Sequence, residues 1–92
     1  MTEKLSFFDI MGTIMHLAIN RLETSLIINM WIEDGNGRYN IVMSDTVKGF
    51  DRNLLKFGHS VRVKGIVHRC YFINDFGEEK ISEHYNALEL IF

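Results

Sequence analysis

The sequence predicts an all-β domain, closed into a small five-stranded barrel with one short helix between its third and fourth strands. Three observations predict it. Apolar and polar residues alternate over most of the chain, as in INMWIED and SVRVKG, which is the period of a strand with one face on a core. The tetrapeptide DGNG separates two such runs and reads as a hairpin turn, because Gly and Asn tolerate the positive φ of tight turns. Gly12 and Gly65 interrupt the two long runs, where a strand bent around a barrel needs a bulge or sharp bend.

The elements follow in order. FFDIMGTIMHLAI is the first strand and SLIINMWIED the second. RYNIVMS is the third, and the hairpin places Glu33 opposite Arg38, Ile32 opposite Tyr39 and Trp31 opposite Asn40. Alternation then puts Leu26, Ile28, Met30, Ile32, Tyr39, Ile41 and Met43 on the core side. Ile27, Asn29, Trp31, Glu33, Arg38, Asn40, Val42 and Ser44 form a mixed, wet outer face. In SDTVKGFDRNLLKFG, Ser44, Asp45 or Thr46 can cap a helix, Val47, Phe50, Leu54 and Phe57 recur at helical spacing, and Gly58 stops it. A helix of about ten residues is expected there, plugging the barrel with Phe50, Leu54 and Phe57. HSVRVKGIVHRCYFI is the fourth strand, NDFGEE a turn, and KISEHYNALELIF the fifth strand, in which the chain is expected to end without a tail. Five strands in 92 residues are too few for a two-sheet sandwich, whereas a closed barrel removes the exposed edges. The order β-β-β-α-β-β over residues 1–92, a single domain, is the layout of an OB-fold.

Composition bounds the function. A hydrophobic content of 47% and a charged content of 24% fit a globular domain rather than a disordered one. A domain this small buries only somewhat over half of its unfolded surface, so its core must be used efficiently or shared with a partner. No run approaches the ~18 apolar residues of a membrane span, and MTEKLSFFDIMG has no export signal. The single cysteine, Cys70, excludes an internal disulfide and fits a reducing cytoplasm. A net charge of −2 argues against a duplex-binding basic protein, although a strand held by stacking and a local basic groove remains open. His68 and Cys70, with His16, His59 and His84 dispersed, lack the spacing of a zinc site. No Ser/His/Asp constellation and no phosphate loop is readable, so neither catalysis nor a cofactor is expected.

The candidate site is aromatic and basic. Trp31 stands on the mixed face; stacking on a base is one reading, cover for a subunit contact the other. Tyr71, Phe72 and Phe76 crowd the fourth-to-fifth strand arm, and alternation puts Tyr71 and Phe72 on opposite faces, one as core and one displayed. Arg38, Arg62, Lys64, Arg69 and Lys80 are candidate phosphate contacts, with Asn40 beside Trp31. Arg62, Lys64 and Arg69 cluster while acids gather at 33–34, 78–79 and the two ends, so the charge is polarised despite its negative sum.

From Arg38 to Phe92 the sequence resembles the bacterial single-stranded DNA-binding protein family and the tail-less primosomal replication protein of the same barrel type. NLLKFGHSVRVKG is similar to the family's short helix ending in Leu-x-Lys-Gly and the strand after it. CYFINDFGEE is similar to its aromatic loop, and ALELIF to its last strand. Upstream, DIMGTI and TSLIINMWIED resemble the first two strands. The resemblance implies binding of single-stranded DNA without chemistry, with the family's loop aromatic on Phe72 and its basic strand-four positions near Arg62 and Lys64. On this reading the protein acts in DNA replication, restart or recombination, with replication proteins as further partners, and apolar outer residues such as Ile27 and Val42 are expected to be covered in a homodimer or homotetramer. Two departures stand out: Ser44 occupies a position usually aromatic, and the acidic C-terminal tail is absent, as in an accessory or specialised member. The alternatives are an OB-fold module for protein–protein contact in a replication complex and an RNA-binding OB-fold.

Overall fold

The computed structural model describes the backbone of residues 2–92 and side chains from residue 5 onward. Five strands make up the fold: β1 (Thr2–Arg21), β2 (Leu26–Glu33), β3 (Arg38–Ser44), β4 (Ser60–Ile73) and β5 (Glu79–Ile91). The long strand β1 serves two partners. Thr2–Thr13 run antiparallel to β4, and Thr13–Arg21 run antiparallel to β2. Sharing one strand between two neighbours closes the sheet on itself, in the order β1-β2-β3-β5-β4. The seam between β3 and β5 is parallel and short, with Ile41 opposite Tyr85 and Val42 opposite Asn86.

The alternation read from the sequence governs the core. Ile28, Met30 and Ile32 of β2, Ile41 and Met43 of β3, and Val61 and Val63 of β4 are buried together with Ile14 and Leu90. The β2–β3 register matches the expected one, including Glu33 opposite Arg38 and Trp31 opposite Asn40. The turn between them works differently from the expectation. Neither Gly35 nor Gly37 lies at positive φ; instead the Asp34 carboxylate accepts the backbone N–H groups of Asn36 (2.7 Å) and Gly37 (3.0 Å). An Asx turn does the work assigned to glycine.

The two strand glycines mark changes of course. At Gly12 β1 passes from β4 to β2, and the bulge itself falls just beyond, between Ile14 and His16. At Gly65 the β4–β5 register shifts, leaving Leu88 as the extra residue. A side chain at Gly65 would sit 2.0 Å from the Asn86 carbonyl oxygen and 2.9 Å from the Phe8 ring. The Phe8 ring therefore occupies the space that only glycine leaves free.

The expected helix over residues 44–58 is not formed; the described residues contain no helix. The segment is a chain of short turns, with hydrogen bonds from Val47 N–H to the Ser44 carbonyl and from Leu55 N–H to the Asp51 carbonyl. The reason lies at Lys48 and Gly49. Lys48 bridges Glu89 in parallel, and the Leu90 N–H donates to the Lys48 carbonyl at 2.8 Å. Gly49 lies at φ +82° against the Leu90 carbonyl. A backbone captured by β5 in the left-handed region cannot continue a helix. The barrel plug changes accordingly: Leu55 is buried and Val47 and Phe50 pack on the core, while Leu54 and Phe57 are exposed.

Candidate nucleic-acid interface

Because Met30 and Ile32 are committed to the core, Trp31 is forced outward. It lies opposite Asn40 on β3 and opposite His16 on β1. The His16 and Trp31 rings are tilted at 38° with centroids 4.8 Å apart. The Arg38 guanidinium lies over the indole, 4.8 Å from its centroid. Arg38 is fixed there by Glu33, whose Oε1 accepts hydrogen bonds from Nε (2.9 Å) and Nη2 (2.8 Å). Trp31 keeps 37% of its surface exposed. Trp31, Arg38 and Asn40 thus form one patch, as expected, and His16 joins them. His16 escaped the sequence reading because the bulge before it resets which β1 residues point outward.

The basic residues fare differently. Arg62 makes a two-pronged hydrogen bond to Asp9 (2.9 and 2.7 Å). Arg69 faces Glu83 at 3.6 Å and Lys80 faces Glu78 at 3.6 Å. Two of the three bases that cluster in sequence, Arg62 and Arg69, are neutralised in space, because antiparallel pairing brings Asp9 of β1 and Glu83 of β5 alongside β4. Among the described residues, Arg21, Arg52, Lys56 and Lys64 make no ion pair. The hydrogen bonds from Arg62 hold the Asp9 carboxyl below the usual range, against the opposing effect of desolvation, with the charges of Arg62 and Lys64 adding to the shift. The Arg62 guanidinium is raised in turn, first by the same hydrogen bonds.

The arm of β4 and β5 displays its rings. Tyr71 lies opposite Ile81 and Phe72 opposite Lys80, on the two faces of the β4–β5 arm, which β1 flanks as far as Tyr71. Both are exposed, so neither is core; the expectation that one of them would be buried is corrected. Beyond the barrel end the arm has solvent on both faces. Phe76, at the tip, is 88% exposed. Asn74 shapes this tip: its Oδ1 accepts the backbone N–H groups of Phe76 (2.9 Å) and Glu78 (3.0 Å). Where the arm leaves the barrel, Tyr85 makes edge contacts with Phe8 and Tyr39 at 5.2 and 5.7 Å, and its hydroxyl donates to Glu83. Burial, then that hydrogen bond, pushes the Tyr85 phenol above its usual range. Phe72 and Trp31 are not brought together, because β2 neighbours only β1 and β3.

No family model matches the chain, and no curated protein sequence matches it. Among solved structures the chain is similar to the mitochondrial single-stranded DNA-binding protein Rim1 of S. cerevisiae. The TM-score is 0.65 at 15% identity, over 96% of this chain and 94% of that one. The likeness is one of fold. Together with the strand order it identifies the barrel as OB-fold in type. In such a barrel the outer face of the second and third strands is the usual binding platform. That is the face on which Trp31, Arg38 and Asn40 stand.

Proposed function

We propose that the chain is a non-enzymatic single-stranded DNA-binding protein of the cytoplasm, acting in DNA replication, restart or recombination. The observation that carries this reading is Trp31, held outward on the β2–β3 platform with a guanidinium over its ring and a carboxamide beside it. The fold shared with a single-stranded DNA-binding protein supports it. A base arriving on the ring face that Arg38 covers displaces the guanidinium. Arg38 then exchanges the Glu33 carboxylate for a backbone phosphate, keeping a charged partner throughout. Phe72, Tyr71 and Phe76 on the arm offer further stacking surfaces, and Lys64, without an ion pair among the described residues, is the readiest of the predicted phosphate contacts.

Trp31 is the single tryptophan, so its fluorescence reports the site directly. Titration with oligo-dT should quench it, with an affinity that falls as salt rises. Trp31→Ala should weaken binding about 5- to 150-fold, the equivalent of one stacked base at roughly 1–3 kcal/mol. A response to RNA oligomers but not to dT would transfer the reading to RNA. Silence toward both would end it.

A second reading, a protein–protein contact module, is favoured by one observation: Arg38, Arg62, Arg69 and Lys80 are each already paired with a carboxylate. In either case we propose a homodimer or homotetramer. Leu5, Phe7 and Met11 stand exposed in a row on β1, and Phe7 is 85% exposed. Of the two outer residues expected to be covered, Val42 is exposed and Ile27 half-buried.

A further inference from the structure

We propose that the recess beside the β1–β2 turn holds a backbone phosphate of the bound strand, clamped between Arg21 and Arg52. The proposal rests on the nucleic-acid reading and adds an anchor point that the sequence did not single out. The recess measures about 340 Å³ and is lined by Arg21, Thr24, Ser25 and Arg52, with Glu23 and Asp45. Two elements far apart in sequence meet there: the tight turn after β1, closed by Leu22 N–H to the Ser25 carbonyl at 2.9 Å, and the turn segment after β3.

Three features point to a phosphodiester. First, Arg38, Arg62 and Arg69 each hold a carboxylate, whereas Arg21 and Arg52 line the same recess as Glu23 and Asp45 without an ion pair to either. Two arginines line one recess together with Thr24 and Ser25, and guanidinium and hydroxyl donors are the types a tetrahedral oxyanion takes. Second, one oxygen of Asp45 is already engaged by the backbone of Leu26, which also lines the recess. Its Oδ1 accepts the Leu26 N–H at 3.4 Å and its own N–H donates to the Leu26 carbonyl at 3.2 Å, so it ties the start of β2 to the end of β3. Third, the lining carries two positive and two negative side chains, which rules against tight capture of a free multivalent anion. A monoanionic phosphate already delivered by a strand stacked on Trp31 needs no such affinity, because its second contact is intramolecular. Leu26 and Trp31 are five residues apart along β2, about 17 Å at ~3.3 Å per residue. Leu26 and Trp31 lie on opposite faces of β2, so a strand stacked on Trp31 reaches the recess only by turning over the barrel end beside the β1–β2 turn, within the few nucleotides one OB-fold occupies.

The test is oligo-dT titration of parent and of an Arg21→Gln, Arg52→Gln double variant, read by Trp31 fluorescence over a range of salt. The variant should bind more weakly, with a slope of log K against log salt shallower by about 0.7, one phosphate contact to a single strand. Its quenching at saturation should match the parent's. A folded variant with parental affinity and slope would overturn the proposal while leaving the DNA reading intact. A parent that shows no salt-sensitive quenching would instead sink the DNA reading and this inference with it. If the double variant does not fold by circular dichroism, Arg21→Lys with Arg52→Lys replaces it. Loss of the forked donors should then weaken binding several-fold with the slope kept, and unchanged affinity would count against the clamp. Inorganic phosphate exchanged for chloride at equal ionic strength should displace no more oligomer from parent than from variant. Selective displacement from the parent would assign the recess to free phosphate and refute a strand anchor.

Discussion

Asp9 and Arg62 stand 53 residues apart in sequence and face each other across the β1–β4 ladder. The pairing lowers the Asp9 pKa below its usual value. A carboxyl depressed in the folded state contributes stability that is present above its unfolded pKa and lost as pH falls through the folded one. Parent should therefore be more stable than Asp9→Asn near pH 7, and the difference should shrink steadily below about pH 4. Thermal melts of both proteins at several pH values check this; a gap that widens in acid would contradict the assigned pair. The pair also explains what could not be read at the residue scale. Trp31, Arg38 and Asn40 were legible because one hairpin turn fixes their register. The partners of Arg62 and Arg69 depend on which distant strands lie alongside, and a basic cluster in sequence says nothing of the acids that fold back onto it.

At the scale of elements, strands and the hairpin followed from alternation, and the segment after β3 did not follow from its helical spacing. Val47, Phe50 and Leu54 satisfy a period near 3.6, yet the backbone at Lys48 hydrogen-bonds to β5 and Gly49 takes a left-handed φ of +82°. A short helix is marginal by itself, so one strand contact decides the matter. Gly49 was visible as a weakness in the helix and is better described as the residue that prevents it. Gly49→Ala should destabilise the protein by at least about 1–3 kcal/mol, since a Cβ there adds backbone strain and meets the Leu90 carbonyl. Gly35→Ala, with open space around it and no positive φ, should stay within about 0.5 kcal/mol of parent. Urea denaturation of the two variants measures the contrast; equal losses would mean that Gly49 is an ordinary turn residue.

For the whole molecule, the closed order of strands and the enclosed apolar core were legible in the sequence; the extent of β1 was not. Its polar first residues gave no strand signal, yet they pair with the arm half of β4, with Thr2 opposite Tyr71. That pairing leaves the other edge of residues 2–12 without a partner strand among the described residues, beside the exposed row of Leu5, Phe7 and Met11. An open edge next to an apolar row invites pairing with another chain. Parent should sediment as a dimer or larger species, and Phe7→Arg should shift it toward monomer without loss of fold. A parent that stays monomeric at high concentration would remove the oligomer proposal. The seam opposite has its own consequence. β3 is joined to β5 at Ile41 and Val42 alone, whereas the β4–β5 ladder runs unbroken from Arg62 to Ile73 apart from one bulge. The Lys48 bridge adds a backbone contact beyond one end of that seam, and the Tyr39 and Tyr85 rings meet edge-on toward the hairpin. The hairpin carrying Trp31 is therefore tied to the rest of the barrel mainly through β1, along Thr13–Arg21, with only a short backbone seam to β5.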